Sequence, residues 1–449
     1  MPSEGGPLRQ KEREKKMSEQ RFDTAKVHAG YNPKDHNYAV SVPIYQTTAY
    51  ELETVERSDA LFGFDSSDAL YSRLSNPTTD VLEARITALH PGATGSVSLA
   101  SGMAAVTYTL MNVTAGQGRI LSTARLYGSS VDIFENVFEE FGVKTDIVEN
   151  PDDLAEYEKL ITEETKCIYI ESITNPNATI PDIEALADLA HRHDIPLIVD
   201  NTVATPYLCN PFDWGADIVV YSATKGLTGH GNVIAGLVVE TNRFNWAGGK
   251  FPQFTQTPHF LEGEGGRKRS VIDIFPETPF IGRIRAIHLN YLGAALSPFS
   301  GYLVLIGIET LSERISKQVS NTKAVIDFLL TRDEVENVQH PEVPGSPYKA
   351  LADKYMPKGA GAIVTFELKG NETNRKRLLE GTKVFSFQAN IGDARSLIIN
   401  PTRTTHIELN PELQKLADIN DRTIRLSLGL EDPQDLIEDL AQALDHAFA

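Results

Sequence analysis

From about residue 95 to residue 239, short apolar and β-branched runs alternate with helix-like segments, and this alternation limits the fold more than any other feature of the chain. Ser96-Val97-Ser98-Leu99-Ala100 leads to Met103-Ala104-Ala105-Val106, and Arg119-Ile120-Leu121-Ser122 leads to Val131-Asp132-Ile133-Phe134. Cys167-Ile168-Tyr169-Ile170 leads to Ile183-Glu184-Ala185-Leu186, after which Pro196-Leu197-Ile198-Val199-Asp200 follows at once. Strands that alternate with helices build βαβ units, so the segment predicts an α/β domain around a largely parallel sheet covered on both faces. Ligands of such sheets bind outside the carboxyl ends of the strands, which is where chemistry is to be sought.

The remainder reads as supporting structure. With 449 residues, 41% of them hydrophobic, the chain is long enough for a large domain over 81–295 and a smaller C-terminal α+β domain over 296–449. Gly- and Pro-rich residues 246–279 predict a long loop with functional potential. Helical patterns then run to about residue 332, followed by the strand-like Ala362-Ile363-Val364-Thr365-Phe366-Glu367 and the amphipathic Asp435-Leu436-Ile437-Glu438-Asp439-Leu440. Residues 1–21 are polar, with the charged run Arg9-Gln10-Lys11-Glu12-Arg13-Glu14-Lys15-Lys16, and predict a disordered tail. Glu4, Glu12 and Glu14 depart from the acid-poor composition of a mitochondrial presequence. No run suits a bilayer span or a secretion signal, so the expected compartment is the cytoplasm. The two cysteines, Cys167 and Cys209, provide neither a disulfide framework nor a zinc cluster and are expected to be buried, inert thiols. No metal is expected. A net charge of −19 disfavours nucleic acid and anionic membranes, which are bound mainly through Lys and Arg.

Several residues at predicted strand ends form a set. Lys225 follows the apolar Asp217-Ile218-Val219-Val220-Tyr221 and precedes Gly226-Leu227-Thr228-Gly229-His230-Gly231. A lysine that attacks an aldehyde must be neutral, and enclosure in a dry or cationic pocket lowers its pKa to that end; taken alone, such a lysine is more often a solvated strand end. Asp200 ends the run Leu197-Ile198-Val199, where a carboxylate can pair with a protonated pyridine nitrogen or simply cap the turn. Ser101-Gly102-Met103 lies between strand and helix, where free N–H groups favour a phosphate, although a plain N-cap serine is the simpler reading. Ser222 and Thr224 offer further hydroxyls. Tyr127 has a ring that can stack on a flat cofactor, or be an ordinary half-buried tyrosine. Together, a phosphate cradle, an aromatic face, a carboxylate and a lysine at successive ends of one sheet point to pyridoxal 5′-phosphate.

The chain resembles, from about residue 22 onward, the Cys/Met-metabolism family of fold-type I pyridoxal-phosphate enzymes. The resemblance is carried by Tyr71-Ser72-Arg73-Leu74-Ser75-Asn76-Pro77-Thr78, Ala100-Ser101-Gly102-Met103-Ala104-Ala105, Glu171-Ser172-Ile173-Thr174-Asn175-Pro176, Asp200-Asn201-Thr202, Ser222-Ala223-Thr224-Lys225 and Ile424-Arg425-Leu426-Ser427-Leu428-Gly429-Leu430-Glu431-Asp432. It implies that Lys225 carries the cofactor and that Ser101, Gly102, Met103, Ser222 and Thr224 surround its phosphate. Asn175 would contact the ring hydroxyl and Arg425 would clamp the substrate α-carboxylate. Residues 22–80 would form an arm reaching a neighbouring subunit, whose phosphate Tyr71 and Arg73 would bind. The assembly implied is a homotetramer built as a dimer of dimers.

Within the family, Phe251-Pro252-Gln253-Phe254, Leu292-Gly293-Ala294-Ala295-Leu296-Ser297-Pro298-Phe299, Gly307-Ile308-Glu309-Thr310-Leu311 and Asn390-Ile391-Gly392-Asp393-Ala394-Arg395-Ser396-Leu397 resemble the O-acetylhomoserine sulfhydrylase branch. That branch implies exchange of acetate for sulfide or a small thiol to give homocysteine, with Lys225 and Tyr127 catalytic and Asn390 beside the substrate carboxylate. A cystathionine synthase or methionine γ-lyase on the same scaffold is the alternative. Asn400-Pro401-Thr402-Arg403-Thr404-Thr405-His406 departs from the branch at Asn400 and Arg403. Arg403 is either an extra anion contact or a surface substitution.

Overall fold

The computed structural model describes residues 20–259 and 268–449. The expected disordered tail therefore lies, apart from Gln20 and Arg21, outside the described residues, as do residues 260–267 of the expected long loop.

The alternating segment forms a seven-stranded sheet of β1 (Gly95–Leu99), β2 (Arg119–Thr123), β3 (Lys144–Val148), β4 (Thr165–Glu171), β5 (Leu197–Asp200), β6 (Ile218–Ser222) and β7 (Gly236–Glu240), in the order β1-β7-β6-β5-β4-β2-β3. Only β7 runs against its neighbours β1 and β6; the other pairings are parallel. The strands read as unbroken apolar runs because both faces are covered. In β6, Ile218 and Val220 enter one core while Val219 and Tyr221 enter the other, and in β4 Cys167 and Tyr169 part from Ile168 and Ile170 in the same way. The helix Gly102–Thr114 covers the first face through Ala105, Val106, Leu110 and Val113. The helices Pro77–Ala88, Ile183–Arg192 and Pro298–Glu309 cover the second.

A second sheet contains β8 (Val335–Gln339), β9 (Ile363–Leu368), β10 (Ser386–Phe387), β11 (Leu397–Ile399) and β12 (Thr423–Ser427), in the order β10-β11-β12-β9-β8. It is antiparallel except for β10 with β11. The C-terminal helix Pro433–Phe448 packs on it through Leu436, Leu440, Ala443, Leu444 and Ala447, the one-sided stripe of an amphipathic helix. The helix Leu311–Leu329 joins the two cores: Leu311 and Ile315 pack with the large sheet, and Val325, Ile326 and Leu329 with the small one.

The described part of the long loop is anchored. Trp246 packs against Phe254, Phe280 and Phe251 at ring-centroid distances of 4.5, 5.0 and 5.3 Å. These rings extend the core on the Gly102–Thr114 face rather than entering the cavity described below.

Candidate active site

A cavity of about 260 Å³ opens where the carboxyl ends of the large sheet's strands meet the small sheet. Its wall contains Ser101, Gly102, Met103, Tyr127, Asn175, Asp200, Ser222, Thr224, Lys225, Asn390 and Arg425. Residues separated by more than 300 positions are thus brought to one place by the topology.

The cavity can be built strand by strand. After β1, the Ser101 hydroxyl accepts the Ala104 N–H at 3.0 Å and caps the helix Gly102–Thr114. The first-turn N–H groups of Gly102 and Met103 stay outside the helix's own ladder, a ready site for an anion. Gly102 is required: a Cβ there would lie 2.5 Å from the Ser222 Cβ. After β2 comes Tyr127, its side chain partly exposed and its N–H donated to Glu171 Oε1 at 2.7 Å. After β4, the Asn175 N–H is donated to Glu171 Oε2 at 2.8 Å. At the end of β5, Asp200 accepts the Thr202 N–H at 2.9 Å and the Tyr169 O–H at 3.2 Å. Burial pushes the Asp200 carboxyl up from its ordinary range, partly offset by the hydrogen bonds from Thr202 and Tyr169.

After β6, the Thr224 hydroxyl donates to Ala235 O at 3.2 Å, and Lys225 Nζ donates to Asn390 Oδ1 at 2.5 Å. Burial, reinforced by the positive charge of Arg425 and opposed by Asp393, brings the Lys225 amine down to about 8. At pH 7 about a tenth of the amine is therefore neutral, far more than for a solvent-exposed lysine.

The small sheet contributes Arg425 from the middle of β12. Ile424 and Leu426 point into the small sheet's core, so Arg425 faces the opposite way, toward the cavity. It is 2% exposed, donates from Nη1 to Asn175 Oδ1 and from Nη2 to Asn390 O, both at 2.9 Å, and has no acidic partner among the described residues. Its Nε is buried without an acceptor, and burial draws the guanidinium down to about 10. A buried cation in this condition is prepared for an anion.

Tyr71 and Arg73 lie apart from this cavity within the chain. The Arg73 guanidinium sits 4.8 Å over the Tyr71 ring and donates to Asn290 Oδ1 at 3.3 Å. Arg403 is a surface residue with its side chain 61% exposed, 3.6 Å from Asp421 and 4.0 Å from Glu372. Asn400 is buried and accepts the Arg403 N–H at the start of a short helical turn. Cys167 and Cys209 are both buried, and burial pushes both thiols up.

Residues not singled out from the sequence also line the cavity. Glu171 ends the apolar run of β4 just as Asp200 ends that of β5, and the same signal could have found it. Thr202, two residues after Asp200, accepts the Ser222 N–H at 2.8 Å and ties the ends of β5 and β6 together. Thr405 gave no signal. Its carbonyl lies so close to Gly128 that a Cβ there would collide with it, which brings the 400–406 loop directly onto the segment after Tyr127.

Pyridoxal phosphate fits what these groups leave unmet. Unused helix N–H groups suit a phosphate, Asp200 and Glu171 have no cationic partner among the described residues, and the lysine beside them is held close to neutrality.

Comparison with known proteins gives the same picture. A family model described as Cys/Met metabolism PLP-dependent enzyme matches residues 23–445. O-acetyl-L-homoserine sulfhydrylase 1 of Thermus thermophilus is 39% identical over 94% of this chain and 100% of its own length. Sulfhydrylase FUB7 of Gibberella moniliformis is 37% identical over 96% of this chain and 98% of its own. Among solved structures, an O-acetylhomoserine (thiol)-lyase from Campylobacter jejuni, crystallised with a pyridoxyl-lysine phosphate, superposes with a TM-score of 0.89 at 35% identity, covering 95% of this chain and 100% of that one.

Proposed function

The chain belongs to the Cys/Met metabolism family of PLP-dependent enzymes, and from that premise we propose that it is an O-acetylhomoserine sulfhydrylase, replacing the γ-acetate of O-acetylhomoserine by sulfide or a small thiol to give homocysteine. When bound, pyridoxal phosphate supplies the electron sink that lets protons leave the α- and β-carbons of the amino acid. Ser101, the N–H groups of Gly102 and Met103, Ser222 and Thr224 would hold its phosphate, and Tyr71 and Arg73 would reach it from a neighbouring copy. Tyr127 would offer its ring to the cofactor's flat face, Asp200 would pair with the ring nitrogen, and Asn175 would contact the ring hydroxyl. Lys225 would be the cofactor's point of covalent attachment, and its amine would be free to act as a base once substrate is bound. Lys225 Nζ then takes the proton from the substrate α-carbon and later returns one, with Tyr127 assisting proton transfer. Arg425 and Asn390 hold the substrate carboxylate.

One observation favours a small acceptor. The charged residues of the cavity wall are Glu171, Asp200, Lys225 and Arg425, and the rest of the wall includes Met103, Val106, Ile173, Val203, Ile234 and Ile391. No further charge pair is present among the described wall residues to recognise the zwitterion of a second amino acid, whereas sulfide or a small thiol needs only an apolar approach.

The reading extends to a homotetramer built as a dimer of dimers in the cytoplasm, acting in methionine and cysteine biosynthesis, with the large domain ending near residue 295. No helix among the described residues is long and apolar enough to cross a membrane. Incubation of the purified enzyme with O-acetylhomoserine and sulfide, with cysteine, or with neither tests the reading. Homocysteine from the sulfide reaction is expected. Cystathionine as the dominant product with cysteine, or oxobutyrate without any thiol, would instead identify a cystathionine synthase or a γ-lyase.

A further inference from the structure

Glu171 is the carboxylate in the cavity wall to which the proposed roles give no task. It is the ladder partner of Asp200 in the parallel pairing of β4 with β5, so the two side chains leave the same face of the sheet. It is 5% exposed and has no cationic partner among the described residues. Burial and the facing Asp200 push its carboxyl well above the ordinary range, and two backbone N–H groups offset only part of that cost.

What the carboxylate holds explains the arrangement. One oxygen accepts the N–H of Tyr127, in the loop after β2, and the other accepts the N–H of Asn175, in the loop after β4. Asn175 in turn accepts Arg425 of the small sheet at 2.9 Å. Glu171 thereby links the loop that carries Tyr127 to the residue whose side chain holds the guanidinium. We propose that Glu171 is a positioning residue that sets Tyr127 and the Asn175–Arg425 pair in mutual register, so that cofactor affinity and recognition of the substrate carboxylate depend on it together. The inference rests on the proposed roles of those three residues.

The molecule contains its own control. Glu240, at the end of β7, is also buried, accepts the N–H groups of Phe280 and Ile281 at 3.0 and 3.2 Å, and lies outside the cavity wall. In Glu171→Gln the side chain keeps its size but offers one acceptor oxygen and turns an NH₂ toward the other N–H. Apoprotein would be titrated with pyridoxal phosphate, followed by fluorescence and cofactor absorbance, and the KM for O-acetylhomoserine measured on the reconstituted enzyme. Glu171→Gln is expected to weaken cofactor binding by about tenfold and to raise KM by a similar factor, with kcat changing less. Glu240→Gln is expected to lower the melting temperature while leaving both constants within about twofold of the parent. Cofactor affinity and KM in Glu171→Gln no further from the parent than those of Glu240→Gln would overturn the inference. Should Glu171→Gln not fold, Glu171→Asp draws the oxygens back by one methylene and carries the same expectation and the same reversal. A parent apoprotein that binds no pyridoxal phosphate would instead sink the cofactor contacts themselves, and this inference with them.

Discussion

The seven-stranded sheet brings Ser101, Tyr127, Asp200 and Lys225 to the cavity from the ends of its strands, whereas the five-stranded sheet brings Arg425 from the middle of β12. The difference follows from strand direction. Strands running the same way end on the same edge, and the loops leaving that edge are free to converge on one ligand. Antiparallel strands end alternately on opposite edges, so a sheet of that kind reaches a neighbouring domain through the side chains of one face. With the roles proposed above, the cofactor falls to the large sheet and the substrate carboxylate to the small one. Mutations on the two sides should therefore fail in different ways.

The largest effect falls on the large sheet. Lys225→Ala should lower homocysteine formation by roughly 10⁴-fold or more and remove the absorbance of covalently held cofactor. A variant that still turns over at a comparable rate would break the assignment of Lys225. On the small sheet, Arg425→Ala should lower kcat/KM for O-acetylhomoserine by roughly 100-fold, through KM above all, while the dissociation constant of pyridoxal phosphate stays close to the parent value. Loss of cofactor affinity in step with loss of substrate affinity would erase the division between the sheets.

The same contrast governs how much of the molecule could be read from its sequence. Alternating runs between residues 95 and 239 suffice for the parallel sheet, and the rule that ligands bind at carboxyl ends makes candidates of Ser101, Tyr127, Asp200 and Lys225, each of which has a plainer reading until they are taken as a set. Arg425 was not accessible in this way. In Ile424-Arg425-Leu426 the alternation places it on the polar face of a strand, which normally means solvent, and only the other domain turns that face into a cavity wall. Only the family resemblance suggests a substrate contact for it. Glu171 has the same strand-end signal as Asp200, but its contacts do not show in the sequence: it accepts the backbone N–H groups of Tyr127 and Asn175, and an N–H carries no mark of its neighbours. Thr405 and Gly128 meet by close backbone approach between segments some 280 positions apart, for which one sequence offers no pattern.

Smaller effects probe where the two sheets touch electrostatically. Lys225 is held at about 8 by burial and by Arg425 across the cavity. Below that pH its amine is largely protonated and unable to attack the cofactor aldehyde; above it the neutral form prevails. The rate at which apoprotein captures pyridoxal phosphate should therefore rise with pH and level off above about 8. Arg425→Ala removes a positive charge that disfavours the protonated amine, so the midpoint should move up, by about one unit. A midpoint indifferent to Arg425 would mean that the two sheets share the cavity without sharing its field.

Asn390 should give the smallest effect, with the opposite sign. Its side-chain Oδ1 accepts Lys225 Nζ, but its contact with Arg425 is made by its backbone carbonyl. Asn390→Ala therefore leaves the guanidinium held and costs the lysine an acceptor. An ammonium donates a stronger hydrogen bond than a neutral amine, so losing that acceptor disfavours the charged form. The capture midpoint should move down by about half a unit and kcat/KM should fall by only about fivefold. Capture rates across pH in the two variants decide the matter: shifts in opposite directions are expected, and an upward shift in Asn390→Ala would mean that Asn390 acts by holding Arg425 and belongs wholly to the substrate side.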